Sequence, residues 1–378
     1  MPEALIVGAG PAGLSAALAL RTAGVGVTVL EQHPAPPARV CGAFINPEGA
    51  GHLAALGLMD RVVRAGAVPV THTQVSWPGS DETTVPIVRG AYAGLALPRP
   101  VLERVMAEAL VAAGGAVHWG SRVAAAERQP DGWTLELVSG IERRSVRAAV
   151  LVIADGRFST LSGRPLQKTR AGWFGWNASF VGAAQPPGSL SLHFHTGGYV
   201  GVLTFADGVS NVCGLVKLDG QRPPRWEDVL KDALSEQASL ARLLRAATRI
   251  DAFRGVGPLP FSTGMTEGNG ALLAGDAAAV GDPYMGEGIS RALGTGPALL
   301  AAVEHGTLAF GDAASAAGYN RLWRDRYVPR LRLGSIARWI FSHPSVAAPV
   351  LGQVASRPGL LRRVLDVAHG TRPGGPPK

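Results

Sequence analysis

Apolar and helix-forming segments alternate near the start of the chain. Residues 4–7 form an apolar run that ends at Gly8, a pattern typical of a buried strand. Residues 11–23 are good helix formers, and residues 25–30 form a second β-rich run that ends in Glu31. Together these segments predict a β-α-β unit, which requires a parallel strand pair and a right-handed crossover.

The alternation continues through the rest of the chain. It predicts a helix at 97–113, a strand at 116–119, an antiparallel meander at 121–127, 133–138 and 143–147, and a buried strand at 148–154. From 172 to 217 the segments are short, β-like and rich in aromatic residues, which predicts a mostly antiparallel second lobe. An amphipathic helix at 226–247, a buried strand at 271–274 and helices interrupted by prolines follow.

A glycine pattern, G-x-G-x-x-G, fills the turn between the first predicted strand and helix. Its residues are Gly8, Gly10, Pro11, Ala12 and Gly13. The first glycine permits a tight turn, the second lets a pyrophosphate approach the backbone, and the third allows close helix–strand packing. The Glu31 carboxylate, at the end of the second strand, can accept hydrogen bonds from ribose hydroxyls. This predicts a dinucleotide site, with NAD and FAD both open.

A longer pattern, G-D-A-A followed by P-x-x-G-x-G, begins near residue 275. Its residues are Gly275, Asp276, Pro283, Gly286, Glu287, Gly288 and Ile289. This pattern resembles the second fingerprint of flavoprotein hydroxylases, which implies that the Asp276 carboxylate, at the end of a strand, accepts from ribityl hydroxyls. Gly286 and Gly288 leave the N-terminus of the next helix bare, and its partial positive charge can stabilise an anionic reduced flavin.

Between these two patterns lies a third, D-G-x-x-S. It consists of Asp155, Gly156 and Ser159. The pattern resembles the longer D-G-x-x-S-x-x-R motif of flavoprotein hydroxylases, but Ser162 stands at the position of its arginine, and Arg164 follows two residues later. The three patterns run in an order that resembles FAD-dependent monooxygenases and geranylgeranyl-reductase-like enzymes. The resemblance implies bound FAD, and it covers nearly the whole chain.

The resemblance also implies an α/β fold of the para-hydroxybenzoate-hydroxylase type. A Rossmann-like FAD-binding domain would comprise 1–168 and 252–310, with an inserted, mostly antiparallel β-sheet substrate lobe at 169–251 and parts of 68–98. A basic helical segment would form 311–378. The predicted FAD contacts are Gly8, Gly10, Pro11, Ala12, Gly13, Glu31, Gln32, Arg39, Cys41, Gly42, Arg99, Val123, Asp155, Gly156, Gly275, Asp276, Pro283, Gly286, Glu287, Gly288 and Ile289.

Three residues are candidate catalytic groups. The segment that contains Cys41 is similar to the K-V-C-G-like segment of geranylgeranyl reductases, which places a cysteine near the flavin; a buried inert cysteine is the alternative. His193 and His195 alternate on one predicted strand face and are candidate acid/base groups, or a polar surface pair. The candidate substrate-lobe residues are Trp173, Trp176, Phe180, Tyr199 and Phe205.

Two reactions fit these residues. The leading hypothesis is a monooxygenase that acts on a lipophilic aromatic or polyketide-like molecule through a flavin C4a-hydroperoxide, as the resemblance implies. The alternative is reduction of a prenyl or isoprenoid double bond, although Gly201 replaces the tryptophan of the Y-x-W-x-F-P segment found in geranylgeranyl reductases. Because no second G-x-G-x-x-G follows a strand, NAD(P)H is expected to bind only transiently.

The charge of the chain is concentrated at its C-terminal end. The net charge is +8, and eleven basic and two acidic residues lie from Gly318 to Lys378. The remainder is near neutral, which suits an uncharged lipophilic substrate and gives no support to nucleic-acid binding. A membrane-associated flavoprotein with weak peripheral contact through this segment is a third hypothesis. The two cysteines form no zinc pattern, so no metal is expected, and we expect a cytoplasmic monomer or homodimer.

Overall fold

The structure is a computed structural model. It describes residues 3–79, 82–163, 172–220, 225–266, 268, 270–304 and 315–343, with isolated positions between 346 and 359. The strands are β1 Glu3–Val7, β2 Gly26–Glu31, β3 Phe44–Ile45, β4 Val68–Val70, β5 His72–Ser76, β6 Thr83–Pro86, β7 Val88–Arg89, β8 Tyr92–Ala96, β9 Ala116–Trp119, β10 Arg122–Gln129, β11 Gly132–Ser139, β12 Glu142–Ala148, β13 Val150–Ile153, β14 Gly172–Val181, β15 Leu190–His195, β16 Gly198–Thr204, β17 Ser210–Leu218, β18 Thr248–Arg249, β19 Arg254–Val256 and β20 Leu272–Leu273.

The helices complete the set of elements. They are α1 Pro11–Thr22, α2 Pro47–Ala55, α3 Met59–Arg64, α4 Arg99–Ala112, α5 Trp226–Glu236, α6 Ala238–Leu244, α7 Gly288–Leu293, α8 Thr295–Glu304 and α9 Ser315–Phe341. Short 3-10 helices span Gly275–Ala277 and Pro283–Met285.

A parallel sheet of five strands carries the N-terminal unit. Its strand order is β20-β13-β1-β2-β9, and every neighbouring pair is parallel. The predicted β-α-β unit is therefore confirmed, and the predicted strand at 116–119 has the bounds of β9. Helix α1 is buried from Pro11 to Leu20, because it packs on β1 and is covered by α4, α7 and α8.

Two antiparallel sheets were expected, and both form. The meander is the sheet β10-β11-β12. The larger sheet has the order β18-β14-β17-β16-β15-β5-β6 with β19 beside β14, and only β15 and β5 pair in parallel in it. Two of its strands, β5 and β6, come from residues 72–86, far from the others in the sequence.

Helices α5 and α6 cover one face of the larger sheet. The single helix predicted at 226–247 is wrong in one respect, because it breaks at Gln237. The backbone of Gln237 is extended there, and its side-chain amide donates to the carbonyl of Phe194 on β15. This tertiary contact satisfies a buried amide, and the sequence pattern does not reveal it.

Helix α9 packs against the unit that contains the five-stranded parallel sheet and does not stand apart from it. Tyr319, Trp323 and Tyr327 in its first half are fully buried, and the Tyr319 hydroxyl donates to the Leu273 carbonyl of β20 at 2.9 Å. The helical C-terminus is confirmed over the described part of 311–378. Within the described ranges, no helix combines the length and the apolar character needed to span a bilayer.

Candidate active site

The first glycine turn leaves no space for side chains. Gly8 has a left-handed φ of 104°, and a Cβ there would overlap the Ala154 carbonyl oxygen at the end of β13. A Cβ on Gly13 would overlap the Gly8 carbonyl oxygen. Helix α1 therefore approaches β1 as closely as backbones allow, and its N-terminus is held at the end of the parallel sheet.

The N-terminus of α1 is open to a ligand. Gly10 is its N-cap residue and provides no side-chain capping bond. The first backbone N–H groups of a helix have no partner within the helix, so they can bind an anion. Glu31 lies beside this turn, where its carboxylate accepts from the Ala9 amide at 2.8 Å and from the His33 amide at 3.0 Å.

Two arginines border the same turn. Arg99 begins α4, its guanidinium bonds the Glu103 carboxylate at 2.8 Å, and its Nη2 lies 3.5 Å from the place a Gly10 Cβ would occupy. Arg39 Nη2 lies 3.9 Å from the Glu31 carboxylate. The buried Arg39 Nε has no hydrogen-bond partner among the described atoms. Burial and the neighbouring Arg99 lower the pKa of Arg39, an environment that a bound anion would relieve.

The other two patterns converge on this edge of the sheet. The Asp155 amide nitrogen lies 3.2 Å from the position of a Gly8 Cβ. Asp276 follows β20, and its carboxylate accepts from Arg291 at 3.0 Å and lies 3.6 Å from the Arg157 guanidinium. Neither arginine was predicted: Arg157 occupies a variable position of D-G-x-x-S, and Arg291 lies beyond P-x-x-G-x-G.

Three further predicted FAD contacts lie on different elements of the fold. Val123 is buried on β10, Gln32 is exposed after β2, and Ile289 is buried on α7. Ser162, in place of the expected arginine, donates its amide to the Ser159 hydroxyl at 2.9 Å. Arg164 lies outside the described residues.

The P-x-x-G-x-G segment forms a loop between Asp282 and α7. It begins with the 3-10 turn at Pro283–Met285 and passes through left-handed Gly286. The Glu287 carboxylate does not cap α7; it accepts from Arg330 of α9 at 2.8 Å. Glu287 was predicted to contact the cofactor, and the structure places its carboxylate against α9 instead.

Four aromatic rings meet where this loop reaches the larger sheet. Tyr284 stacks on Phe194 with ring centroids 6.1 Å apart, and it lies 5.1 Å from Tyr199 and 6.0 Å from Trp173. We call these four residues the aromatic cluster. Trp173 and Tyr199 were predicted from the sequence as substrate-lobe residues, whereas Tyr284 was not, because its segment was interpreted as a glycine motif.

The Cys41 segment lies against the same face of the larger sheet. The Cys41 carbonyl accepts from the Asn211 amide of β17 at 3.0 Å, and a Cβ on Gly42 would lie 3.6 Å from Cys213 Sγ. The Ala43 amide donates to the half-buried Cys41 sulfur at 3.3 Å, and Ala43 has a left-handed φ of 58°. Burial raises the pKa of Cys213 to about 12, so that thiol is neutral.

His193 and His195 point to the opposite face. Alternation along β15 separates them from Phe194, which belongs to the aromatic cluster. The His193 ring bonds the hydroxyls of Ser76 at 2.8 Å and Ser239 of α6 at 2.9 Å, and it is 2% exposed. The two histidines do share a face, but it is covered by helices, so an acid/base role at the aromatic cluster does not fit their placement.

The other aromatic residues of the lobe divide in the same way. Trp176 and Phe180 pack with Phe253 beneath α5 and α6. Phe205 packs with Leu190 and Leu203 in a separate apolar cluster. These three residues support the lobe and do not join the aromatic cluster.

A family profile described as an FAD binding domain matches residues 1–302. The chain belongs to this FAD-binding family. The match contains all three sequence patterns and the edge of the sheet on which they converge. The resemblance, the fold class and the oxidoreductase class expected from the sequence are thereby confirmed.

Relatives of this FAD-binding protein include oxygenases and reductases. It is 29% identical to rifampicin monooxygenase of Streptomyces venezuelae over 43% of this chain and 33% of that protein. It is 24% identical to digeranylgeranylglycerophospholipid reductase 2 of Methanopyrus kandleri over 96% of this chain and 92% of that protein. The chain therefore matches about a third of the former and most of the latter.

A solved structure shows the same fold at full length. The p-nitrophenol 4-monooxygenase PnpA of Pseudomonas putida superposes with a TM-score of 0.78 and covers 98% of this chain, which in turn covers all of it, at 19% identity. At that identity the superposition establishes the fold alone.

The residues at the sheet edge fit FAD. The open N-terminus of α1 with Arg39 and Arg99 suits a diphosphate, and the Glu31 carboxylate suits ribose hydroxyls. Asp276 is positioned at a strand end to accept from the ribityl chain. When bound, FAD supplies the redox chemistry; the chain holds and orients it and excludes water.

The glycine turn gives a direct test of this placement. In Gly13→Ala, the methyl group overlaps the Gly8 carbonyl, and separating α1 from β1 should cost about 1–3 kcal/mol. We expect the Kd for FAD, measured by fluorescence quenching, to rise about 5- to 150-fold. The control is Gly264→Ala, since no atom lies within 4 Å of its Cβ position. Equal FAD affinity in both variants would contradict the placement.

The buried imidazole of His193 predicts a dependence of stability on pH. Burial lowers the pKa of His193 to about 4, below its unfolded value of 6.5. The unfolded chain therefore binds more protons between these values, and the unfolding free energy should fall by about 3 kcal/mol from this residue as pH decreases from 6.5 to 4.

Urea unfolding at several pH values checks this. His193→Gln should reduce the slope without abolishing it, because burial also lowers the pKa of His52 to about 4. The exposed His72→Gln is the control. An unchanged slope in His193→Gln would refute the assignment of a neutral buried ring.

Proposed function

We propose that this FAD-dependent oxidoreductase is a monooxygenase that acts on a lipophilic aromatic or polyketide-like small molecule, with NAD(P)H as a transient reductant. The aromatic cluster carries the proposal. Its four rings lie at the junction of the P-x-x-G-x-G loop and the sheet, where they offer apolar faces and edges to a planar substrate.

The polar groups beside the aromatic cluster favour an uncharged substrate. Burial raises the pKa of the Tyr199 hydroxyl, and burial also raises that of the Cys213 thiol to about 12. Both groups are therefore neutral and can donate a hydrogen bond without attracting an ion. A substrate with an apolar ring and a phenol or carbonyl oxygen suits this environment.

Reduction of an isoprenoid double bond is the second candidate. It is favoured by the position of Cys41, whose segment is anchored to the same sheet face through Asn211. The match to a reductase over 96% of this chain supports it as well. In this reaction NAD(P)H supplies the hydride, and the Cys41 thiol is a candidate proton donor to the other carbon.

Product analysis separates the two reactions. A monooxygenase consumes one O2 and one NAD(P)H per turnover, places one oxygen atom in the product and releases the other as water. We expect substrate-dependent NAD(P)H oxidation by the FAD-loaded protein under ¹⁸O2 to yield a product heavier by one ¹⁸O atom. A product that gains two hydrogens under argon would instead establish the reductase.

The two cysteines provide a matched pair for the same assay. If the protein is a monooxygenase, Cys41→Ser should keep the rate of oxygen incorporation within about threefold, as should Cys213→Ser, because neither thiol is required. If it is a reductase, Cys41→Ser should lower kcat by about 10²-fold, the usual contribution of a general acid, while Cys213→Ser should not.

A lipophilic substrate raises the question of peripheral membrane contact, and we propose it for the distal half of α9. Ile336 and Trp339 are each 56% exposed and lie one turn apart, next to exposed Arg332. An exposed helix face with Trp, Ile and Arg can insert its apolar groups among lipids while arginine contacts anionic headgroups.

Vesicle co-sedimentation tests this contact. The full-length protein should sediment with phosphatidylglycerol vesicles and much less with phosphatidylcholine vesicles. Ile336→Ser with Trp339→Ser should weaken the binding about tenfold, since two apolar anchors are lost. Ile141→Ser, at a fully exposed apolar position on the meander, is the control. Failure of the wild-type protein to sediment removes the hypothesis.

A further inference from the structure

Helix α9 lies outside the residues matched by the family profile, yet two of its arginines form ion pairs with carboxylates at the two ends of the P-x-x-G-x-G loop. At the start of the loop, Arg338 Nε lies 3.1 Å from the Asp282 carboxylate. At its end, Arg330 Nε donates to the Glu287 carboxylate at 2.8 Å. The side chains of Asp282 and Glu287 are only 2% and 4% exposed, so each needs a partner inside the protein.

Arg330 joins this loop to a second carboxylate. Its two terminal nitrogens donate to Glu48 of α2 at 3.1 and 2.7 Å, a bidentate pair, while Nε is left for Glu287. Arg326, one turn earlier, donates at 2.8 Å to Glu48 Oε1, the oxygen that accepts from Arg330 at 3.1 Å. Only a guanidinium has donors arranged to serve two carboxylates in this way. We call Arg326, Arg330, Glu48 and Glu287 the arginine clasp.

A hydrogen bond outside the clasp also connects α2 and α7. The Asn46 side chain caps α2 by accepting from the Gly49 amide at 3.0 Å, and it accepts from the Ser290 hydroxyl of α7 at 2.5 Å. The loop, α7, α2 and α9 therefore form one hydrogen-bonded unit. A substitution of Arg330 should alter the backbone conformation at Gly286 and Gly288, because Glu287, which lies between them, is hydrogen-bonded directly to Arg330.

We propose that Arg330 is a positioning residue for the flavin: through Glu287 it holds the P-x-x-G-x-G loop in the conformation that binds the cofactor. The inference rests on the assignment of this loop to the flavin ring. It is independent of which substrate is oxidised or reduced, since its consequence is measured on FAD binding alone.

The charges around Glu287 determine the direction in which FAD affinity should change with pH. Burial raises the pKa of Glu287 to about 7, whereas Arg330 and Arg291 lower it and Glu48 raises it. Burial also raises the pKa of Glu48, but Arg330 and Arg326 overcome this and lower it to about 2, so Glu48 is ionised. His52 beside Glu48 is neutral, since burial lowers its pKa to about 4. Glu287 is thus the group of the clasp that titrates near neutrality. At the start of the loop, burial also raises the pKa of Asp282 to about 7, whereas Arg338 lowers it.

The pH dependence of FAD affinity should reverse when Arg330 is removed. In the wild type, Glu287 loses its charge as pH falls from 8 to 6, its bond to Arg330 weakens, and the Kd for FAD should rise about tenfold. In Arg330→Met, the carboxyl stays protonated at pH 7. Ionising it beside Arg291 but without the Arg330 hydrogen bond should raise the Kd by up to about tenfold per unit as pH increases beyond its elevated pKa.

Three further variants make the test specific. Arg330→Lys keeps a charge but cannot serve both carboxylates, so it should restore part of the affinity and the wild-type sign of the pH dependence. Glu287→Gln removes one titrating group and should abolish the reversed sign in Arg330→Met, while Asp282, whose pKa burial also raises to about 7, keeps its own contribution to the wild-type profile. Arg332→Met changes an exposed arginine of the same helix and should behave as the wild type.

FAD binding is read by fluorescence quenching from pH 6 to 10, with urea midpoints measured in parallel to exclude unfolding. An Arg330→Met profile that matches the wild type in magnitude and sign overturns the proposal. So does a uniform loss of affinity at every pH that Arg330→Lys fails to relieve, because that indicates general destabilisation. Neither result bears on the proposed reaction, which is decided by product analysis.

Discussion

The closeness of α1 to β1 is the constraint on which the rest of this protein depends. Two glycines, Gly8 and Gly13, let the backbones meet where any Cβ would overlap a carbonyl oxygen. Because α1 then lies deep in the molecule, it needs partners on all sides. The Ser15 hydroxyl supplies one, by donating to the Leu293 carbonyl and accepting from the Gly296 amide. One helix thus brings the first glycine turn into contact with α7 and α8, which follow the last motif.

Strand alternation in the larger sheet places the side chains that pack under α5 and α6 on one face and those of the aromatic cluster on the other. On one face, Trp176 and His193 are covered by α5 and α6, where the histidine ring is satisfied by serine hydroxyls. On the other face, Trp173 and Tyr199 meet Tyr284 of the P-x-x-G-x-G loop. A shift of one residue in any of these strands would exchange the two sets of side chains. The register of the sheet is therefore a determinant of the site.

Local patterns were sufficient for the parts of the fold that carry their own periodicity. The β1-α1-β2 unit, β9 and the meander were predicted closely because each has a clear apolar period and a glycine or turn at its end. The region between β3 and β8 was not predicted, since strands such as Phe44–Ile45 are too short to show a period. The parallel pairing of β5 with β15 was also missed, because it joins segments more than a hundred residues apart.

The site shows the same division between local and distant information. Motif spacing placed Gly8, Asp155 and Asp276 together, since all three follow strands of one parallel sheet. It could not show that Arg291 bonds Asp276, or that Tyr284 contacts the other rings of the aromatic cluster, because both contacts depend on how the loop folds back. His193 and His195 illustrate the reverse error: their shared face was inferred correctly, but alternation alone does not say which face meets the cofactor.

The net charge of the C-terminal segment illustrates why a charge count needs a structure. Summed along the sequence, the arginines of α9 resemble a surface for an anionic partner. In the fold, Arg330 and Arg338 face inward, against carboxylates that the FAD-binding domain buries at its own loop. Two buried acids at the P-x-x-G-x-G loop would be costly without them. Part of the positive charge is therefore internal compensation, while Arg332, Ile336 and Trp339 in the distal half of the helix are exposed.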